Sequence, residues 1–236
     1  MHRNLTNIIR TVMDEWIPPV VRDSKWFMYP FFWYWYKGDT TTIRAYMDFK
    51  TRVWSMTTEE YVHLYSVLRK NSRAASRPTD LNDACIRTML ERLDRTATTL
   101  IDIGCGNGFF LQQVAKLGKY QLHACDVMPH VDLGAGISYH QGLIESLPFP
   151  DKAFDIVTCH HTIEHITNLA PAIAELKRVA RKQLIIVTPR QRYYYYTLDE
   201  HVNFFQMQGQ LEAIIGVERH ECLNLDGDWL YIGIME

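Results

Sequence analysis

Two hydrophobic rhythms divide the chain. Up to about residue 95, apolar residues recur three and four positions apart, the period of a helix with one buried face. Ile8, Ile9, Val12, Met13 and Trp16 form the first such series, which Pro18-Pro19 ends. Ile43, Tyr46, Met47 and Phe49 form another. A third helix begins at Thr57 or Thr58 as cap and buries Leu64, Val67 and Leu68. A fourth runs from Asp80 to Leu93, capped by Asp80 or Asn82, with Ile86, Met89, Leu90 and Leu93 along one side. This stretch carries no strand signal.

Beyond residue 98 the rhythm changes. Short apolar runs at 99–103, 121–125, 137–140, 154–159 and 184–188 read as strands. Helical stretches lie between them, from Asn107 with Phe110, Leu111, Val114 and Leu117 on one face, and from about Ala170 with Leu169, Ile173, Leu176 and Val179. A last helix covers roughly 204–215, and 217–223 and 229–235 read as an antiparallel hairpin around Asp226-Gly227-Asp228. Alternation of strand and helix predicts an α/β fold with a mostly parallel sheet.

The first strand ends in a distinctive turn, Asp102-Ile103-Gly104-Cys105-Gly106-Asn107-Gly108. Glycines let the backbone turn sharply and let a ligand approach where a Cβ would stand. The helix that follows offers unpaired N–H groups. A nicotinamide fingerprint has its third glycine one position later, where this chain has Phe109. Asp102, two residues before the first glycine, suits a ligand that carries a cation rather than a pyrophosphate.

This segment resembles the first motif of the Rossmann-like (class I) S-adenosylmethionine (SAM) methyltransferases, in particular the ubiquinone/menaquinone type. The resemblance covers about residues 97 to 235. It implies a seven-stranded, mostly parallel sheet with helices on both faces, preceded by a helical extension over 1–96 that covers the substrate side. In that family the acid and the glycines hold the methionyl end of the cofactor, which maps onto Asp102, Gly104, Cys105, Gly106, Asn107 and Gly108. Asp126 closes the second strand at the family's ribose-binding acid, and Val127 and Met128 would flank the adenine. Gly142-Leu-Ile-Glu-Ser-Leu-Pro-Phe149 resembles the adenine loop, but Leu143 stands where relatives often have an Asp. Glu145, or backbone and apolar contacts from Leu143 and Ile144, would replace it.

Candidate chemistry lies past strands four and five, because ligands in open α/β sheets bind beyond the carboxyl ends of the strands. His160, His161 and Thr162 follow strand four, and the Glu164-His165 pair resembles the end of the family's fourth motif. His160 is assigned to the cofactor. His161 is the first candidate for a general base and His201 the second, since an unperturbed imidazole titrates near neutral pH. His165 reads as a structural histidine. Adjacent histidines point apart in most backbones and have no evident third ligand, so no metal is expected. Arg190, Arg192, Tyr195 and Tyr196, in the loop after strand five, are the candidates for reading a polar acceptor.

Composition narrows the class. The chain has 236 residues, is 47% hydrophobic, and carries 25 basic and 27 acidic residues for a formal net charge of −2. No basic excess points to nucleic acid. Five scattered cysteines without a Cys-x-x-Cys pair read as reduced thiols of a cytoplasmic protein. Met1 to Arg10 has no signal-peptide pattern, and no apolar run approaches the roughly 20 residues that span a bilayer.

The expected activity is SAM-dependent methyl transfer to a small-molecule, glycan or lipid-linked acceptor, with S-adenosylhomocysteine as product. A non-catalytic SAM-binding partner module is the alternative from another class. One stretch stands apart, Trp26-Phe-Met-Tyr-Pro-Phe-Phe-Trp-Tyr-Trp-Tyr36, flanked by Lys25 and Lys37. Shallow contact with a membrane is one reading of it. The favoured reading is a roof over the acceptor pocket, because aromatic side chains bury about 150–250 Å² each. That reading predicts burial of most of Trp26, Phe27, Phe31, Phe32 and Trp33.

Overall fold

The computed structural model describes residues 12–13, 15–71, 78–129, 133–197 and 200–236. The expected helix around Ile8 and Ile9, and the side chains of Val67 and Leu68, lie outside the described residues.

Seven strands form one sheet: β1 (Thr99–Ile103), β2 (Gln121–Asp126), β3 (Ile137–Gln141), β4 (Phe154–His160), β5 (Ala180–Pro189), β6 (Arg219–Leu225) and β7 (Asp228–Ile234). Their order is β3-β2-β1-β4-β5-β7-β6, and all pairs are parallel except those made by β7. The strand order reverses at β1, which lies between β2 and β4. The carboxyl ends of β1, β2 and β4 therefore open a crevice at the switch point, where such sheets bind ligands. Asp226 and Gly227 both take positive φ (+48° and +87°) and join β6 to β7 by a tight hairpin turn.

β4 is buried along its whole length, and each face of the sheet packs its own hydrophobic cluster. β5 begins at Ala180, four residues before the expected start. Arg181, Lys182 and Gln183 hid it, because each has a tertiary partner. Arg181 and Lys182 pair with Asp155, and Gln183 bonds Arg92 O and the Asp94 amide. Leu117, expected on the buried face, is instead exposed, and the last helix starts at Gln208 rather than near 204.

The helices upstream are α1 (Lys25–Trp35), α2 (Thr40–Met47), α3 (Thr58–Asn71) and α4 (Asp83–Arg92), with one-turn segments at Pro19–Arg22 and Phe49–Arg52. Helix α3 starts in a capping box. The Thr57 hydroxyl accepts from the Glu60 amide while the Glu60 carboxylate accepts from the Thr57 amide. Between the strands come α5 (Phe109–Ala115), α6 (Leu169–Val179) and α7 (Gln208–Ile215).

Helix α4 precedes residue 97, yet Cys85, Met89 and Leu93 pack into the sheet's own cluster with Leu100, Leu111 and Ile156. The earlier helices instead dock on the loop after β5. Arg22 donates to Tyr193 O and lies over the Tyr194 ring, Asp23 accepts from the Tyr195 amide, and Tyr46 bonds Glu200. Buried Lys50 donates to His201 O, and Tyr61 to His165 O. The chain thus lays this helical layer over the carboxyl ends of β4 and β5.

Asn82 ties the two parts of the fold together. Its Oδ1 caps α4 by accepting from the Cys85 amide at 2.7 Å, and its Nδ2 donates to Leu225 O and Asp228 Oδ2. Asn82→Ala removes both the cap and a donor to a buried carboxylate, so it should cost about 2–4 kcal/mol of unfolding free energy. Urea unfolding measures this, and a loss below about 0.5 kcal/mol would show that the tie carries little.

Candidate functional site

The turn after β1 takes its shape from three glycines at φ +73°, +55° and +71°, Gly104, Gly106 and Gly108. A Cβ on Gly104 would stand 2.2 Å from Thr162 Oγ1, and one on Gly108 would stand 2.7 Å from Leu133 Cδ2. The protein's own packing therefore requires glycine at both positions. Cys105 is buried, and Asn107 is exposed and ties the turn to Pro78 O.

Asp126 holds this turn from the end of β2. Its Oδ2 accepts from the Gly106 amide at 2.9 Å and its Oδ1 from the Met128 amide at 3.0 Å. Each carboxylate oxygen keeps a second lone pair for a hydroxyl. Val127 and Met128 are half-buried beside it, and across the crevice Leu143 is exposed, Glu145 is half-buried and Ile144 lies in the core. Burial raises the Glu145 pKa.

Asp102 is buried at the centre of the sheet. The Thr158 hydroxyl donates to its Oδ1 at 2.8 Å, and His160 Nδ1 lies 3.2 Å from the same oxygen. Burial outweighs the Thr158 bond and lifts the carboxyl to about 7. His160 goes the other way, to about 3, pushed down by burial and then by the charge on His161. The pair is thus a neutral imidazole donating through Nδ1 to the carboxyl group. His160 Nε2 is buried with no hydrogen-bond partner, and the ring meets Phe110 edge-on.

His161 points away from His160, as expected of neighbours, and takes φ +46°, a left-handed conformation unusual for a residue with a side chain. Its Nδ1 lies 3.2 Å from Glu164 Oε1 and its Nε2 3.6 Å from Asp228 Oδ2. Burial pulls the imidazole down, but the carboxylates of Asp228 and Glu164 on either side outweigh it and raise the pKa to about 10. Glu164 shifts to about 2, because His161 more than offsets its burial. His161 is therefore a buried cation between two carboxylates. That state counts against the expectation that it accepts a proton near neutral pH.

His201 is half-buried on the loop after β5. Its Nδ1 lies 2.7 Å from Gln191 Oε1, and its ring meets His165 edge-on at 4.8 Å. Glu164, His165 and His201 bring three donor atoms within 4.8 Å of one another, a grouping the reading of His160-His161 did not anticipate. Glu164 in this group also accepts from Thr188. Of the expected acceptor-reading residues, Arg190 is exposed, while Arg192 faces Glu15 at 3.5 Å. Tyr195 and Tyr196 meet edge-on at 4.8 Å beneath the upstream helices.

Thr158, Thr188 and Asp228 were not singled out from the sequence, and Glu164 was named only beside His165 at the end of the fourth motif. Asp228 was absorbed into the hairpin turn, and the two threonines read as ordinary strand residues. A polar residue inside a fully buried strand was the signal available for Thr158.

Comparison with known proteins bears on this geometry directly. The family described as "Methyltransferase domain" matches residues 101–188. Residues 101–188, from β1 to β5, are thus similar to a methyltransferase domain. The resemblance read from the glycine turn and the expected seven-stranded fold both hold.

Among curated relatives, a malonyl-[acyl-carrier protein] O-methyltransferase of Serratia marcescens is 30% identical over 52% of this chain and 54% of its own length. Ajmaline N-methyltransferase of Rauvolfia serpentina is 29% identical over 44% of this chain and 39% of its own length. A ubiquinone biosynthesis O-methyltransferase of Hahella chejuensis is 26% identical over 54% and 52%. The chain thus spans about half or less of the length of these relatives. A SAM-dependent methyltransferase structure from Aquifex aeolicus superposes with a TM-score of 0.55 at 19% identity, over 70% of this chain and 96% of that one, and shares the fold.

The His161 cation makes stability depend on pH. A pKa raised from 6.5 to about 10 contributes fully below pH 6.5 and is lost as pH rises through about 10. His161→Gln leaves two buried carboxylates without their cation and should cost about 3–5 kcal/mol at neutral pH. The gap between wild type and variant in urea unfolding should then narrow from pH 6.5 towards about 10. A constant gap would show that His161 is neutral in the fold.

Proposed function

We propose that the chain transfers a methyl group from SAM to a small-molecule or lipid- or glycan-linked acceptor. The observation that supports this most is the turn of three left-handed glycines between two carboxylates, Asp102 and Asp126, at the ends of adjacent strands. A buried carboxyl raised to about 7 is short of a cation, which the ammonium of a methionyl group provides. His160 Nε2, buried without a partner, offers one further polar contact. On this reading Asp102, His160 and the turn from Gly104 to Gly108 hold the methionyl end. Asp126 takes the ribose hydroxyls, and Val127, Met128 and the loop from Leu143 to Glu145 enclose the adenine.

The bound cofactor supplies an electrophilic methyl on a cationic sulfur. The protein's work is to position the acceptor and exclude water. Residues 12–71 act as the cover on the acceptor side, with Arg190, Tyr195 and Tyr196 facing the acceptor. Arg192 joins them when it leaves Glu15. His201 accepts the proton of an oxygen or nitrogen acceptor, and Gln191 at its Nδ1 orients the ring. His161 has no proton-accepting role here; it fixes the ends of β4, β5 and β7 around the site. The relatives include both O- and N-methyltransferases, so the accepting atom is one for experiment to identify.

Calorimetry with SAM tests the cofactor site. Gly106→Val, strained at φ +55°, should abolish binding while the fold persists by circular dichroism. For the wild type, protonation of Asp102 competes with the ligand's cation, so affinity should weaken by up to about tenfold per pH unit below about 7. Asp102→Asn should remove that slope. Unchanged affinity in Gly106→Val would overturn the assignment.

Incubation with methyl-labelled SAM and fractionated small-molecule, lipid and glycan extracts tests transfer itself. One fraction should take up label, and His201→Asn should lower turnover about 10²–10⁴-fold without changing SAM affinity. Tight SAM binding with no labelled fraction would instead favour a non-catalytic SAM-binding module.

A further inference from the structure

The aromatic run is not buried as the roof reading expects. It folds as helix α1, and of the five rings expected to be buried only Phe32 is fully so. Phe27 is half-buried, while Trp26, Phe31 and Trp33 are 73%, 41% and 56% exposed. The reason is the helical period. Met28, Phe32 and Tyr36 face inward and pack on Ile43, Tyr46 and Met47 of α2. Trp26, Tyr29, Pro30, Trp33, Tyr34 and Lys37 follow one another at i, i+3, i+4, i+7, i+8 and i+11, a single outward stripe, and all are exposed.

We infer that this outward face of α1 is a docking surface for an anionic lipid bilayer. The ring types fit the place where hydrocarbon meets headgroups, because Trp and Tyr have an apolar body and a polar edge. The charges fit an anionic surface. Residues 24–38 contain two lysines, Lys25 and Lys37, one at each end of the stripe and both exposed, and no acidic residue. The nearest acids are engaged elsewhere. Asp23 accepts from the Tyr195 amide, and Asp39 caps α2 through the Thr41 amide and the Thr42 hydroxyl. Lysine stems reach along apolar surface and place their ammonium groups among phosphates.

The length fits a helix that lies in the interface plane. Eleven residues rise about 16 Å, roughly half the hydrocarbon thickness, and no described helix is long and apolar enough to cross a membrane. Trp16 and Val20, just upstream in the chain, are also 80% and 81% exposed. This inference stands independently of the methyl-transfer reading.

Co-sedimentation of the full chain with large vesicles tests it. The protein should pellet with phosphatidylcholine–phosphatidylglycerol vesicles and much less with phosphatidylcholine alone. Trp26→Ser/Trp33→Ser/Tyr34→Ser should lose about tenfold or more of this partitioning. Lys25→Glu/Lys37→Glu, which touches no buried group, should abolish the preference for anionic vesicles. Brominated lipids should quench the wild-type tryptophan emission. An intact protein that stays in the supernatant, or a lysine variant that keeps its anionic preference, would overturn the inference. So would sedimentation equilibrium showing a dimer that the aromatic variant dissolves, since the stripe would then meet a second copy.

Discussion

A single buried cation holds the working end of this sheet together. His161 sits between Glu164, from the turn just after β4, and Asp228, the first residue of β7, and Glu164 in turn accepts from Thr188 of β5. Asp228 also receives the Asn82 amide, so the network reaches the start of α4. Each carboxylate alone would be costly to bury; the imidazolium between them makes both tolerable. The backbone carries part of that cost, since His161 must take a left-handed conformation to aim its ring at both. The crevice beside it inherits its shape from this arrangement.

The same charge acts on the neighbouring strand position. It helps keep His160 neutral, and a neutral His160 leaves Asp102 with hydrogen bonds but no compensating cation. Two adjacent histidines thus have opposite protonation states because alternate residues face opposite surroundings. One lies between two carboxylates, and the other faces Asp102 and Phe110. His201, on the loop after β5, belongs to neither pair and meets Gln191 instead.

The sheet was legible because its signals are local. Apolar runs marked β1 to β4 and the hairpin, and the glycine turn marked the crevice. What escaped depended on distant partners. Nothing local places Arg181, Lys182 and Gln183 in β5; their partners Asp155, Arg92 and Asp94 do. His161 read as a base because nothing near it in sequence announces Asp228. The run from Trp26 to Tyr36 read as a buried roof on composition alone. Its 3.6-residue period, which separates an inner Met28-Phe32-Tyr36 edge from an outer Trp26-Trp33-Lys37 edge, was present in the sequence and carried the better information.

The way the upstream helices grip the loop after β5 bears on how such a protein diversifies. Arg22 and Lys50 take hold of main-chain carbonyls at Tyr193 and His201, Tyr61 takes that of His165, and Asp23 holds the amide of Tyr195. Main-chain groups are the same whatever side chain a position carries. Substitutions at 190–196 can therefore alter what the loop presents to a ligand while these grips stay in place. Selection can rewrite this rim of the crevice residue by residue, without having to reinvent the seat on which the helical layer rests.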